Sequence, residues 1–437
     1  RPALINPSLR GPGLEHAVRT VSATAILCEG HYRDACQALA APCPLGLRTL
    51  EPPDFEGSAP LPIRADARLG DVAAYIYTSG TTGLPKAALV KHRRFWQAGM
   101  AISGTVQFTH RDCVYCCLPL YHANAACIAV PSAILQRGRI ALTAKFSARA
   151  FWSDCAESEA TTFIYVGELL RYLLNREPGA DESRHQVTRI FGNGLAPDLW
   201  ERVEARFGIA RIAEYYAATE GNAETANLFN RKGTVGPLLP WKMAVVAWDP
   251  DRQEPVRDAR GRARWVGPHE PGLLVGKISA RNEFAGYGDA KASRAKVLRG
   301  LFKDDDAWFN TGDLVAFDRL AHLRFVDRLG DTFRWKAENV STTEVAQCLA
   351  AQEIITEASV YGVSVPGQEG RAGMAAVVLR AGQPFRGELS GALTELPRYA
   401  WPRFLRIVDS LEVTGTFKHR KQSLKDEGYR NCGPDPI

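Results

Sequence analysis

Short runs rich in β-branched and aromatic residues recur through the first half of the chain: Ala73 to Tyr77, Val114 to Leu118, Thr161 to Val166, Val187 to Phe191 and Ile209 to Tyr215. Several are apolar at successive positions, which predicts strands buried on both faces. Helical patterns lie between them. In Pro197 to Phe207, Leu199, Trp200 and Val203 fall on one face, with Glu201, Arg202 and Glu204 on the other. Buried strands alternating with helices predict an α/β unit with substantial parallel sheet.

Beyond about Gly233 the pattern changes to strands punctuated by Gly and Pro: Met243 to Trp248, Gly272 to Ile278, Leu314 to Phe317 and Leu323 to Val326. These predict a small β subdomain attached to the large unit. A further unit begins near Asp327. Ser341-Thr-Thr-Glu344 has the spacing of a capping box and predicts a helix start. Strands over Ala358 to Val365 and Met374 to Leu379 complete a compact α+β domain. The expected division is residues 1–327, a hinge over 328–331, and a mobile C-terminal lid over 332–437.

Composition narrows the classes. At 437 residues, 46% hydrophobic and 23% charged, the chain is neither disordered nor fibrous. Its net charge of +6 comes without a Lys/Arg run, so no nucleic-acid partner is expected. Among ten cysteines only Cys113, Cys116 and Cys117 cluster, and no second Cys/His pair would complete a zinc shell. Their apolar surroundings predict a buried strand, and unpaired thiols predict a reducing, cytoplasmic setting. No stretch reads as a bilayer span, which leaves room for peripheral attachment to a membrane face. The oligomeric state is not legible.

The sharpest local signal is Tyr77-Thr-Ser-Gly-Thr-Thr-Gly-Leu-Pro-Lys86, directly after a predicted strand. Gly80 and Gly83 allow a turn in which successive N–H groups converge on an anion. Thr78, Ser79, Thr81 and Thr82 add hydroxyl donors, and Lys86 supplies a point charge. The spacing is not that of a Walker A loop.

This string resembles the phosphate-binding signature of the adenylate-forming superfamily of acyl-CoA synthetases, luciferases and peptide-synthetase adenylation domains. Companion motifs follow in chain order: Glu214-Tyr-Tyr-Ala-Ala-Thr-Glu220, Phe309-Asn-Thr-Gly-Asp313, Asp327-Arg-Leu and Thr414-Gly-Thr-Phe-Lys418. Within the superfamily, several strings resemble the fatty acid transport protein/very-long-chain acyl-CoA synthetase branch. They are 167–175, Gly192-Asn-Gly-Leu-Ala-Pro-Asp198, Thr219-Glu-Gly-Asn222, Asp306 to Asp313 and Arg334-Trp-Lys-Ala-Glu-Asn-Val-Ser341.

The resemblance implies ATP-dependent activation of a long- or very-long-chain fatty acid to acyl-AMP, then acyl-CoA, with ATP, Mg²⁺ and coenzyme A required. It implies that the 77–86 loop holds the departing phosphates and that Glu220 binds Mg²⁺. Thr219 would contact the α-phosphate. Asp313 and Arg328 would hold the ribose. Gly192, Asn193 and Gly194 would form the adenine slot with Tyr215 and Tyr216. Lys418, on the lid, would serve the first half-reaction, and Gly330 would lie at the pivot. His122 matches a position beside the acyl site, and it reads equally well as a structural histidine.

Two departures stand out. Ala217 and Ala337 occupy positions where relatives usually carry glycine; a left-handed backbone at either would be strained. A β-carbon at 337 is expected to hinder thioester formation more than adenylation. The chain also begins at Arg1, as if an N-terminal segment were missing, which would leave an open sheet edge. The competing reading is a catalytically impaired protein of the same fold that binds nucleotide or fatty acid. A ligase for another acid, such as a carnitine- or bile-acid-like substrate, is a further alternative.

Overall fold

The computed structural model describes residues 1–39, 46–50, 66–79, 85–250, 252–335, 338–366, 368, 370–380, 389–394, 396–414 and 419–430. Its largest sheet has six strands, in the order Glu224–Ala226, Arg211–Ala217, Arg189–Asn193, Thr162–Val166, Cys113–Cys116 and Arg139–Leu142. All neighbours are parallel except the first pair. Cys113–Cys116 is buried throughout, as its apolar surroundings require, and burial raises the thiol pKa of Cys116 to about 11. The crossover helix Pro197–Phe207 has the predicted bounds. Proline stands in its first turn, and Gly208 follows with φ +63°, the left-handed conformation that ends helices.

Aromatic packing fills the faces of this sheet. Thr162–Val166 is buried at every position, and Phe163 meets Phe151 edge-on with ring centroids 4.9 Å apart. Each such large side chain contributes about 1.5–3 kcal/mol by burial alone.

A three-stranded sheet runs beside it, in the order Ala3–Leu4, Val72–Ser79 and Pro85–Lys91, with helix His92–Val106 leaving its last strand. An antiparallel sheet follows, ordered Gly236–Pro237, His322–Arg328, Ala307–Phe317, Gly272–Lys277 and Met243–Val246, with Val297–Arg299 paired to Ala307–Phe317. This is the expected β subdomain.

The last unit has its own core, including Phe333, Val345, Tyr361 and Leu393. Its sheet joins Ile355–Val363, Ala372–Leu379 and Phe404–Ile407. Helix Thr342–Ala350 starts where the capping box predicted, with Ser341 Oγ accepting from the Glu344 amide at 3.2 Å. Buried Asp327 accepts from the Thr342 amide and from the Thr343 hydroxyl at 3.1 Å, which ties this helix start to strand His322–Arg328. No helix among the described residues is long and apolar enough to cross a membrane.

Candidate functional site

Strands Val72–Ser79 and Pro85–Lys91 pair antiparallel, with Thr78 opposite Lys86 and Ser79 opposite Pro85. Gly80, Thr81, Thr82 and Gly83 lie outside the described residues, so this pairing fixes only the two ends of the loop. On the free edge of Pro85–Lys91, Ala88 bridges to Tyr287. The Tyr287 hydroxyl donates to Glu220 Oε1 at 2.6 Å, and the Lys86 ammonium stands 5.8 Å from the centre of the same ring. Burial, then the Glu220 charge, pushes the Tyr287 pKa well up and keeps its proton available for that bond. Lys86, Tyr287 and Glu220 therefore form one cluster.

The Thr219–Glu220 turn is held from behind. Arg94, on helix His92–Val106, donates to the Ala218 carbonyl at 2.8 Å and the Gly221 carbonyl at 2.9 Å. It also pairs with Glu224 at 2.6 Å, which Lys242 reaches at 2.6 Å. Burial alone would raise the Glu224 pKa, but Arg94 and Lys242 outweigh it and hold it low. Gly221 cannot carry a side chain in this arrangement, because a β-carbon there would lie 2.3 Å from the buried Phe309 ring.

Four residues beyond Phe309, Asp313 accepts from the Tyr216 hydroxyl at 2.6 Å. Arg328, its cross-strand partner, approaches the other carboxylate oxygen at 3.6 Å. Gly312 has φ +78°, and the Leu329 amide donates to its carbonyl at 2.9 Å, so the loop carrying Asp313 is fastened to the segment after Arg328.

Gly192, Asn193 and Gly194 end strand Arg189–Asn193. A β-carbon at Gly192 would fall 2.3 Å from the Tyr165 carbonyl oxygen, and Gly194 has φ +85°. The buried Glu214 carboxyl accepts from the Gly194 amide at 3.2 Å, the Leu195 amide at 2.7 Å and the Tyr165 hydroxyl at 3.0 Å. Burial lifts its pKa to about 8 even though these three donors pull it down. Asn124 donates to Asn193 Oδ1 at 3.1 Å from the start of a wide helical turn, Asn124–Ala129. His122 lies just before this turn, half-buried and 4.6 Å from the Tyr121 ring.

Tyr215 and Tyr216, both expected at the adenine slot, lie on different faces of their strand. Successive strand residues point to opposite faces, so Tyr215 and Tyr216 cannot share one. Tyr216 turns to Asp313, whereas Tyr215 is packed in the core of the six-stranded sheet. Ala217 closes its strand outside the left-handed region, so the strain considered for alanine is not present there. Ala337 lies outside the described residues.

Lys418 also lies outside the described residues. Its flanks are ordered by a bridge between Val413 and His419. His419 Nε2 stands 3.6 Å from Glu357, and the neighbouring Thr356 carbonyl accepts from Asn175 of the large unit at 3.2 Å. At the expected pivot, Gly330 has open space where a β-carbon would stand, and Asp331 pairs with Lys425 at 3.3 Å and Lys421 at 3.6 Å.

Tyr287 and Arg94 were not singled out from sequence. The Ala-Gly-Tyr-Gly-Asp string around Tyr287 carries a turn signal but nothing that names its partner. Arg94 sits in an ordinary basic helix start.

The AMP-binding enzyme family model matches residues 2–281, and that of the AMP-binding enzyme C-terminal domain matches 344–418. The chain is 43% identical to a medium/long-chain-fatty-acid–CoA ligase, FadD6, of Mycobacterium tuberculosis, over 99% of this chain and 74% of that protein. It is 44% identical to long-chain fatty acid transport protein 2 of Rattus norvegicus, over 84% of this chain and 60% of that protein. Among solved structures, a benzoate CoA ligase from Burkholderia xenovorans LB400 superimposes with a TM-score of 0.79 at 20% identity, covering 97% of this chain and 84% of that one. ATP-bound MatB from Rhodopseudomonas palustris gives 0.78 at 23% identity, covering 94% and 80%.

Proposed function

The chain belongs to the AMP-binding enzyme family, and from that premise we propose that it is an acid–thiol ligase which joins a long-chain fatty acid to AMP and then to coenzyme A. One observation carries the reading. Strand Arg211–Ala217 and the turn after it supply Glu214 to the glycine loop, Tyr216 to Asp313, and Glu220 to Tyr287 beside Lys86. These contacts join residues far apart in sequence, which supports the reading of a shared nucleotide site.

In the first half-reaction the fatty carboxylate attacks the α-phosphorus and pyrophosphate leaves. Negative charge accumulates, so the residues' work is positioning and neutralisation. Lys86 and the 77–86 loop would receive the departing phosphates, Thr219 the α-phosphate, and Asp313 with Arg328 the ribose hydroxyls. The Gly192–Gly194 backbone and Tyr216 would border the base.

A magnesium ion fits the donors. Glu220 offers a hard oxygen already oriented by Tyr287, and the described residues contain no cluster of three His, Cys, Asp or Glu that would form an all-protein cage. Mg²⁺ ordinarily takes one or two carboxylates and completes its shell with phosphate oxygens and water.

The second half-reaction needs a thiol to reach the acyl-adenylate, and the 328–331 segment is the proposed pivot that removes Lys418 from the cleft. Because a long-chain acid partitions into bilayers, the reading includes peripheral contact with the cytoplasmic face of a membrane. The test is Lys418→Ala assayed in both half-reactions. Acyl-adenylate formation should collapse, while supplied acyl-adenylate is still converted to acyl-CoA. An unmutated chain that releases no pyrophosphate with any fatty acid at saturating ATP would refute the reading.

A further inference from the structure

Gly221, Asn222 and Glu224 of the 218–224 turn line a cavity of about 530 Å³ that neither Glu220 nor Tyr287 lines. Six cationic side chains line it against two carboxylates. Lys91 is paired with Glu283, and Arg94 and Lys242 share Glu224. Arg93, Lys277 and Arg281 reach the same space with no carboxylate at ion-pair distance among the described residues. Cations gathered into one concavity focus a positive potential, which favours an anion of more than one charge.

Trp241 also lines the cavity and is 73% exposed. Such a ring presents an apolar body and a polar edge, a combination suited to a ligand that is charged at one end only. Arginine forks match phosphate oxygens in pairs, and a phosphate monoester carries close to two negative charges at neutral pH.

We propose that this cavity is a binding site for a phosphate monoester, separate from the Glu220 cluster. Glu220 is bonded to Tyr287 and neither lines the cavity, whereas Asn222 and Glu224 of the same turn do. The phosphate can arrive on a soluble molecule or as a lipid headgroup.

The test compares sn-glycerol 3-phosphate with phosphatidylcholine vesicles containing phosphatidic acid, which present the same group free and in a bilayer. Binding is read by tryptophan fluorescence and by vesicle co-sedimentation, without ATP or fatty acid. Arg93→Glu combined with Arg281→Glu should weaken binding by more than about tenfold. A control pair away from the cavity, Arg260→Glu with Lys303→Glu, should leave it near the wild-type level. Trp241→Phe should remove the fluorescence change while binding persists. Lys277→Gln provides a milder variant should the double reversal misfold by circular dichroism, and it should weaken binding severalfold.

Binding of both probes assigns the site to the phosphate itself, and binding of vesicles alone assigns it to a headgroup. Equal loss in the control pair, or no binding of either probe, overturns the proposal. Because no substrate is present, that failure is distinguishable from failure of the ligase reading, which is scored by pyrophosphate release.

Discussion

Tyr287 and Glu220 are joined by a 2.6 Å hydrogen bond, with the phenol donating to the carboxylate across 67 residues of sequence. The bond brings the turn after one sheet against the edge of another, and it fixes the direction in which Glu220 presents its remaining lone pairs.

Tyr287→Phe removes that constraint and leaves the packing of the ring intact. The Mg²⁺ concentration needed for half-maximal acyl-adenylate formation should rise roughly tenfold, the usual effect of losing a ligand's orienting partner. A Mg²⁺ titration of pyrophosphate release checks this, and an unchanged midpoint would separate Glu220 from the metal.

Gly221→Ala acts on the same turn from its other end. A β-carbon 2.3 Å from Phe309 forces the turn to move, and misplacement of about 1 Å at such a site costs on the order of 100-fold in rate. Single-turnover adenylation should fall by that order while the far-ultraviolet circular dichroism stays constant.

Tyr216→Phe leaves Asp313 without its 2.6 Å donor. Hydrogen bonds to charged groups contribute about 1.5–3 kcal/mol, so the KM for ATP should rise about tenfold or more. The KM for the fatty acid should change little; an equal rise in both would point to a general loss of structure.

Glu214 gives the protein a pH signature. Its folded pKa of about 8 lies above the ordinary 4.5. Below about pH 4.5 folded and unfolded chains both hold the proton, and the contribution to stability is complete. As pH rises toward 8 the unfolded chain releases the proton while the folded chain keeps it, so stability declines and then levels off. Glu214→Gln should flatten the Tm-against-pH curve over that window. A variant curve parallel to the wild type would disprove the assignment.

Asp331→Ala leaves Lys421 and Lys425 without their shared carboxylate. Lys421 is already pulled to a lower pKa by burial, so its charge would be poorly compensated. Stability should fall by about 1–3 kcal/mol in urea titrations, a discount on the fully buried case because Asp331 is partly exposed.

Much of this was legible because the chemistry sits in short strings. Thr219-Glu220 and Thr311-Gly-Asp313 each carry their signal within a few residues. Long-range partners carry none: Tyr287 is one tyrosine in a glycine turn, and its meaning comes from Glu220. Strand Ala307–Phe317 extends well before the predicted Leu314 because Asn310, Thr311 and Asp313 interrupt the apolar pattern, while Asn310 stays paired with Val275 and Asp313 with Arg328. Tyr215 and Tyr216 are neighbours in one strand and so face opposite ways, a separation that the sequence string alone does not display. The wide turn at Asn124–Ala129 had no local signature beyond Pro131, which cannot donate a backbone hydrogen bond within the helix that follows.

The backbone from Arg211 to Ala217 bears Glu214 and Tyr216 on one side of its pleat and Tyr215 on the other. Inserting a single residue upstream of Glu214 within it would turn every side chain beyond the insertion to the opposite face. Glu214, Tyr216 and the approach to Glu220 would be displaced in one event, even though none of the three had been altered. Length, rather than composition, is the property of this segment that tolerates no drift.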